Sequence, residues 1–495
     1  MERQHIACSD ENRSLLEPVI IRLNDIGPFE FVAHYYPDEA VIRNAVGRDF
    51  GILFPKSSLS LNRILDELTE KTQGKYGQAF HGEATIGFSP VVFFLSPRFA
   101  ERVGIVNEPL AWRRLSRLHR EGDFSIRHAS ARQTDGEAVA LAQHLAFQSD
   151  ASSPDQQMSS AVRSVERQVD EYGPDDREVL RRAVGDGNWK ADLVVAQERS
   201  VISAWPEDSR LSGVIAYPQD GTLAIPVTLA LADYWQKPDT EQAFKTLVDG
   251  FARVEPNELA KAGLHKNTES LRSPEAVAEF ASQTNSAPGI RWAPHSGVRT
   301  LTLPSRRAAK GISALAGTTQ RSVDVCLIFD SSSSMDDLGK FREAISGIDS
   351  FLMLLSSTNS RVCLIRIRTQ ATVVVPLWPR PSFRYERSWL EPNGKTALID
   401  AVSLATDILV QDGAESNIRA IVGFTDGQEN SSSRSVSDVL QALKANPRVR
   451  FYGVAYGSDA DTAILQQLAD ATDGLAVTSD TGQIKALYER LSTYF

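Results

Sequence analysis

Two short, uninterrupted apolar runs constrain this chain more than any other feature: VDVCLIFD (323–330) and RAIVGFTD (419–426), each ending in aspartate. A run of that length without polar alternation is buried on both faces. A strand meets that condition in a parallel sheet covered by helices. The flanking sequence supplies the helices. In KFREAISGIDSFLMLL (340–355), Phe341, Ile345, Ile348, Phe351 and Leu352 recur at helical spacing. RVCLIRI (361–367) and ATVVVPL (371–377) read as strands joined by a short turn, and ALIDAVSLATDILV (397–410) reads as a helix. SVSDVLQALKA (435–445), VRFYGVAYG (449–457), DTAILQQLADAT (461–472), LAVTS (475–479) and QIKALYERLSTYF (483–495) continue the alternation. The last third is therefore α/β, with a doubly wound, mostly parallel sheet.

The first 290 residues alternate more loosely. Strand candidates are QHIACS (4–9), FEFVAHYY (29–36), DFGILF (49–54), ATIGFSPVVFFLS (84–96), DFSIRHAS (123–130), ADLVVAQ (191–197) and SGVIAYP (212–218). SLLEPVIIRLN (14–24) and EAVALAQHLAF (137–147) read as helices, and the polar stretch 148–163 reads as a loop. Residues 284–322 are rich in Pro, Gly, Ser and Arg and mark a boundary. The expected organisation is a domain over 1–290, a linker over 291–321 and a domain over 322–495.

The chain has 53 basic and 63 acidic residues, a net charge of −10. That balance argues against nucleic acid as a partner. No apolar run reaches the length of a membrane span. The N-terminus, MERQHIACSDENRSLLEP, lacks the apolar core of a secretory signal, so the chain as written reads as cytoplasmic. With a missing N-terminal signal or anchor it would be extracytoplasmic. Cys8, Cys326 and Cys363 have neither metal nor disulfide spacing and read as buried thiols. The eight histidines form no HxH or HxxxH pair, which argues against a zinc site.

The two aspartates carry the chemistry. Asp330 and Asp426 end buried strands, and ligand sites in open α/β sheets lie outside the carboxyl ends of strands. Ser332 and Ser334 follow Asp330 in FDSSSSM, and Thr396 in NGKTAL adds a third hydroxyl from another loop. Two carboxylates and three hydroxyls form an all-oxygen set suited to Mg²⁺, with Mn²⁺ or Ca²⁺ as substitutes. The alternative reading is a solvated serine turn with two helix-capping aspartates. The order Asp330, Ser332, Ser334, Thr396, Asp426 resembles the D-x-S-x-S…T…D metal-ion-dependent adhesion site of von Willebrand factor A (vWA) domains. The resemblance runs from Val323 to Phe495 and includes the closing YGSDAD and ALYERLSTYF. Ser333 stands where that family usually has glycine. The resemblance implies a Rossmann-like domain whose metal takes a carboxylate from a protein partner. It also implies that Ser332 and Ser334 ligate directly, and Thr396 and Asp426 directly or through water.

Other readings of these motifs fare worse. NGKT mimics the end of a phosphate-binding loop, but the first glycine of that motif would fall on Trp389. An aspartyl phosphatase of the haloacid dehalogenase type would carry a second aspartate where Ser332 stands. No G-x-S-x-G nucleophile elbow occurs.

HIACSDENRSLLEPVIIRLN, DFGILFPKSSL (49–59), ATIGFSPVVFFLS and SVISAWPEDSRLSGVIAYPQDGTLAIPVTLAL (200–231) resemble, in that order, segments of type-2 periplasmic solute-binding proteins. The order also resembles a bacterial family that joins such a two-lobed domain to a C-terminal vWA domain. This likeness implies a cleft that binds a small solute or anion. Ser9, Ser57, Ser89 and Thr134 are candidate contacts from one set of segments, with Glu198 and Tyr217 from the second lobe; capping or turn roles are the alternative for each. Pro90 would stiffen the crossing strand. Arg113, Arg114, Arg117 and Arg120 share one helical spacing and read as a solvated face. The expectation is a non-enzymatic interaction protein. The alternatives are an adaptor for an AAA+ ATPase, as some vWA proteins are, and a metal-dependent hydrolase at Asp330.

Overall fold

The computed structural model describes residues 2–74, 80–118, 124–148, 155–185, 188–204, 212–235, 237–286, 288–294, 297–336, 338–355, 359–457, 460–479 and 484–495. Arg120 and residues 149–154 lie outside them, as do Ser458 and Asp459 of the YGSDAD motif. The chain divides into two compact units. One comprises residues 1–168 and 175–314, the other residues 169–174 and 315–495.

The first unit holds β1 (Glu2–Ser9), β2 (Phe29–Tyr36), β3 (Ile52–Phe54), β4 (Phe80–Leu95) and β5 (Ile126–Ala129). β6 (Val169–Gly173) falls in the second unit. The first unit resumes with β7 (Leu193–Gln197), β8 (Ser212–Ala216), β9 (Thr222–Ala232), β10 (Gly289–Trp292) and β11 (Thr300–Leu301). β1 pairs in parallel with β2 and β3. β9 runs antiparallel to β3 and β4.

The 16 residues of β4 change partners midway. Phe80–Pro90 pair with β9, whereas Val91–Leu95 pair with β7, and Phe93–Leu95 also with β8. β4 thus threads two halves, each with its own core. Ile6, Leu16, Phe54, Val227 and Phe251 fill one, and Val92, Phe94, Leu180, Val194 and Ile215 fill the other. Pro90 stands at the change of partners, a place that tolerates a residue without an N–H.

Two stretches that composition marks as irregular are ordered. Residues 155–166, which overlap the predicted loop 148–163, form a helix that buries Val162 and Val165. The predicted linker 291–321 carries the end of β10, which pairs with β8, and β11, which pairs with β9. It also carries the helix Arg306–Thr319, which buries Ala309 and Ala316. In both, a few small apolar residues at helical or strand register outweigh polar composition, because tertiary packing supplies most of an element's stability.

The second unit holds β12 (Val323–Asp330), β13 (Arg361–Ile367), β14 (Ala371–Pro379), β15 (Ile418–Thr425), β16 (Val449–Tyr456) and β17 (Leu475–Ser479). Their order is β14-β13-β12-β15-β16-β17, parallel throughout except for the β13–β14 hairpin. All eight residues of β12 are buried. Cys326 and Ile328 pack with Leu398, Val402, Ala405 and Leu409 of the helix Leu398–Gln411. Phe329, one pleat over, meets Phe341 and Phe424. Helices on both faces explain the absence of polar alternation in this strand. Cys8, Cys326 and Cys363 are buried and unpaired, as their apolar surroundings predict.

β6 is held by this unit's own charges. Arg450 pairs with Asp170 and Glu171, the Tyr452 hydroxyl donates to Glu171, and Arg321 donates to the Val169 carbonyl. Among the described residues no helix is long and apolar enough to cross a membrane.

Candidate metal centre and the cleft of the first unit

β12 is the switch point of its sheet. The chain leaves it toward β13 on one side, and β15 pairs with it on the other. Phe329 is in register with Phe424, so Asp330 and Asp426 leave the same rim one and two residues later. All five predicted metal residues sit at this rim.

Asp330 is fully buried. One of its carboxylate oxygens accepts from the Ser332 N–H at 2.8 Å and the other from the Thr425 hydroxyl at 2.5 Å. The Ser332 and Ser334 hydroxyls lie 2.9 Å apart. The Ser334 hydroxyl donates to Asp426 Oδ1 at 2.7 Å, and Lys340 Nζ donates to Asp426 Oδ2 at 2.9 Å. A continuous chain of oxygens therefore runs from Ser332 to Asp426. Burial, and then the Asp426 charge, push the Asp330 carboxyl up against the hydrogen bonds from Thr425 and Ser332. A cation between the two carboxylates would relieve that repulsion.

Thr396 reaches the rim from the loop before the helix Leu398–Gln411. Its N–H donates to Asn430 Oδ1 at 3.0 Å. That loop is pinned to the Ser333 turn, where the Ser333 hydroxyl accepts from Gly394 N–H at 3.0 Å. Gly394 has φ +85°, which suits glycine in this turn. Gly427 defines the space between the hydroxyls. A Cβ there would stand 3.0 Å from Thr396 Oγ1 and 3.4 Å from Ser334 Oγ. The absent Cβ leaves a small cradle walled by these oxygens.

Donor chemistry and cradle fit a hard divalent cation such as Mg²⁺. Among the described residues no cluster of three or more His, Cys, Asp or Glu could hold a metal, so hydroxyls are needed to complete any such set. Sequence reasoning missed Thr425 and Lys340. Thr425 precedes Asp426 at a strand end, where a hydroxyl is a readable signal. Lys340 is one lysine on a helix and carries none.

In the first unit, strand ends from both halves converge. Ser9 ends β1, and its hydroxyl bonds to the Glu11 carboxylate. Ser57, after β3, is fully buried with its hydroxyl unpartnered, as is that of Ser130 after β5. Ser89 Oγ accepts from Arg199 N–H at 3.1 Å, and Thr134 Oγ1 accepts from Arg63 at 3.1 Å.

Residues absent from the sequence reading fill the middle. Lys56 Nζ meets Asp135 Oδ2 at 2.6 Å and Glu11 at 3.8 Å, with Lys56 and Asp135 both buried. Asp135 also accepts from Gln197 at 2.9 Å and from the Asp176 N–H at 2.8 Å. Arg199 donates to Asn12 Oδ1 at 2.9 Å and to the Glu11 carbonyl at 2.6 Å. Burial pushes the Lys56 ammonium down, and the Asp135 and Glu11 carboxylates more than offset it.

Glu198 and Tyr217 bond to each other rather than to the serines. Glu198 accepts from the Tyr217 hydroxyl at 2.6 Å and from Trp292 Nε1 at 2.7 Å, and meets His265 Nε2 at 2.7 Å. On the helix Trp112–Leu118, Arg114 is paired with Glu108, and its guanidinium donates to the Val103 and Glu108 carbonyls.

Residues 324–490 match the von Willebrand factor type A domain family. Several solved structures resemble parts of the chain. A von Willebrand factor type A protein from Catenulispora acidiphila is 22% identical over 35% of this chain, with a TM-score of 0.32. The match spans 43% of that protein's length, less than half. The sulfate-binding protein SubI from Mycobacterium tuberculosis H37Rv is 16% identical over 59% of this chain and 94% of its own, with a TM-score of 0.42. A Bordetella ferric binding protein is 13% identical over 64% and 98%, also at 0.42. No curated protein matches the chain.

Proposed function

With residues 324–490 a von Willebrand factor type A domain, in general a protein-interaction module, we propose that this chain is a metal-dependent binding protein. Mg²⁺ would be held by Asp330, Ser332, Ser334, Thr396 and Asp426, and its open position would take an acidic side chain of a protein partner. The observation that carries this reading is the run of oxygens from Ser332 through Ser334 to Asp426, closed by Thr396 across the Gly427 cradle. The metal would supply Lewis-acid attraction for a carboxylate. The chain's part is to hold the oxygens in place.

A binding role is favoured over hydrolysis by the state of the carboxylates. Both Asp330 oxygens accept hydrogen bonds, and the Asp426 oxygens are held by Ser334 and Lys340. These contacts turn both carboxylates toward one shared rim, as a cation site requires.

Calorimetric titration of Mg²⁺ into the full chain tests the site. One binding event that Asp330→Ala abolishes is expected. A Mg²⁺ isotherm unchanged by that substitution overturns the assignment.

The first unit would act as a sensor or docking domain. The unpartnered hydroxyls of Ser57 and Ser130, close in sequence to Lys56 and Asp135, support a small oxyanion as the solute. Sulfate, phosphate or molybdate should then raise its unfolding midpoint. If none does, the sensor reading fails and docking remains.

A further inference from the structure

The segment between the carboxyl end of β13 and Thr396 is rich in positive charge. Between residues 366 and 395 there are six cations, Arg366, Arg368, Arg380, Arg384, Arg387 and Lys395, and two anions, Glu386 and Glu391. The segment is net +4 (6 − 2) in a chain of net −10.

Most of these charges meet no carboxylate. Arg387 pairs with Asp349, and Arg380 donates to the Leu352 carbonyl. Arg366 donates to the Trp389 carbonyl at 2.7 Å and Arg368 to the Glu391 carbonyl at 2.6 Å. The Nε of each is buried without a partner. Arg384 donates to the Pro381 and Phe383 carbonyls. Lys395 is exposed and has no ion pair among the described residues. Burial, and then the Arg368 charge, push the Arg366 guanidinium down.

Arg366, Arg368 and Lys395 border the metal centre. Ile367, between the two arginines, is in register with Asp330, and its carbonyl accepts from Ser331 N–H at 2.9 Å. The Arg368 carbonyl accepts from Ala397 N–H at 3.1 Å, beside Thr396. The Ser331 hydroxyl donates to the carbonyl of Leu390, next to Trp389, which is 39% exposed. Unpaired cations beside a divalent cation's site weaken metal binding by Coulomb repulsion. Anions brought by a partner would reverse that penalty, and the rim would then favour partners with more than one carboxylate.

We infer that the rim formed by Arg366, Arg368, Lys395 and Trp389 selects an acidic protein segment carrying several carboxylates. One carboxylate reaches the metal and its neighbours engage the cations. This rests on the metal-dependent reading above and adds the class of partner.

The test is fluorescence anisotropy of a labelled octaglutamate peptide with the full chain, in millimolar Mg²⁺ or in EDTA. Binding in Mg²⁺ is expected, and Arg368→Gln/Lys395→Gln should weaken it about tenfold, about 1.4 kcal/mol. The loss should shrink at high salt. Lys395→Gln alone, at an exposed position, should act in the same direction, and Lys444→Gln elsewhere in the unit should not. Full binding by the rim variant together with its loss in Asp426→Ala overturns the rim and keeps the metal. Equal binding in EDTA with loss only in the rim variant keeps the rim and overturns the metal reading. No binding by the unmodified chain, or tighter binding of a labelled oligothymidylate, overturns the inference.

Discussion

Asp426 faces a hydroxyl on one oxygen and an ammonium on the other, and the balance between them bears on how tightly the proposed site would hold a cation. Lys340 Nζ lies 2.9 Å from Asp426 Oδ2 and stabilises that carboxylate in the metal-free protein. The same charge repels an arriving Mg²⁺. Lys340→Met should therefore tighten Mg²⁺ binding several-fold, about 1 kcal/mol for one partly exposed charge. It should also lower the metal-free unfolding midpoint. A calorimetric titration that shows weaker Mg²⁺ binding would assign Lys340 to orienting Asp426 instead. The five oxygen-bearing residues of this site were readable because four crowd two strand ends and Thr396 sits in a short, glycine-marked turn. Lys340 was not, because its partner lies 86 residues away. In the first unit the reading named Ser9, Ser57, Ser89 and Thr134 and missed the ions among them. Lys56 directly follows a short strand and Pro55, where a lysine normally reads as solvated surface. Only the fold brings it to Asp135.

At the scale of elements, the strand runs of the second unit were legible because each is buried on both faces. The helix 155–166 and the ordered stretch 289–319 were not, because small and polar residues dominate them and their partners are distant in sequence. The helix Asp38–Gly47 offers a sharper test of how elements are joined. Its first residue, Asp38, accepts from Ser60 Oγ at 2.6 Å and Lys56 N–H at 2.8 Å, tying this helix to the start of the next. Burial pushes the Asp38 carboxyl up to about 6 despite those bonds. A carboxyl raised in the folded state adds stability when protonated. Its contribution is full below the unfolded value of about 3.9 and is lost as pH rises through about 6. Asp38→Asn should flatten the fall in the first unit's unfolding midpoint between these values. An unchanged pH profile in the variant would contradict this account of Asp38.

At the scale of the molecule, each unit is stitched by ions that its sequence segments contribute from far apart. Lys56 and Asp135 come from the two halves that β4 threads, and both are buried. Lys56→Met leaves Asp135 without its cation and should cost the first unit about 3–5 kcal/mol, read by denaturant unfolding. A loss below about 1 kcal/mol would mean that the amide donors alone hold Asp135. The second unit has its own stitch, from Arg450 to Asp170 and Glu171, which gathers a six-residue segment into a body otherwise built from residue 315 onward.

The central claim is that the rim of β12 and β15 binds a divalent cation, and thermal unfolding of the full chain reads it most directly. The chain and its Asp426→Ala variant would be unfolded in EDTA and in millimolar Mg²⁺. At a hundred times the dissociation constant a ligand adds about 2.7 kcal/mol, enough to move a domain's midpoint by several degrees. The account predicts that Mg²⁺ raises one transition of the unmodified chain and neither transition of Asp426→Ala; equal responses in the two proteins would contradict it.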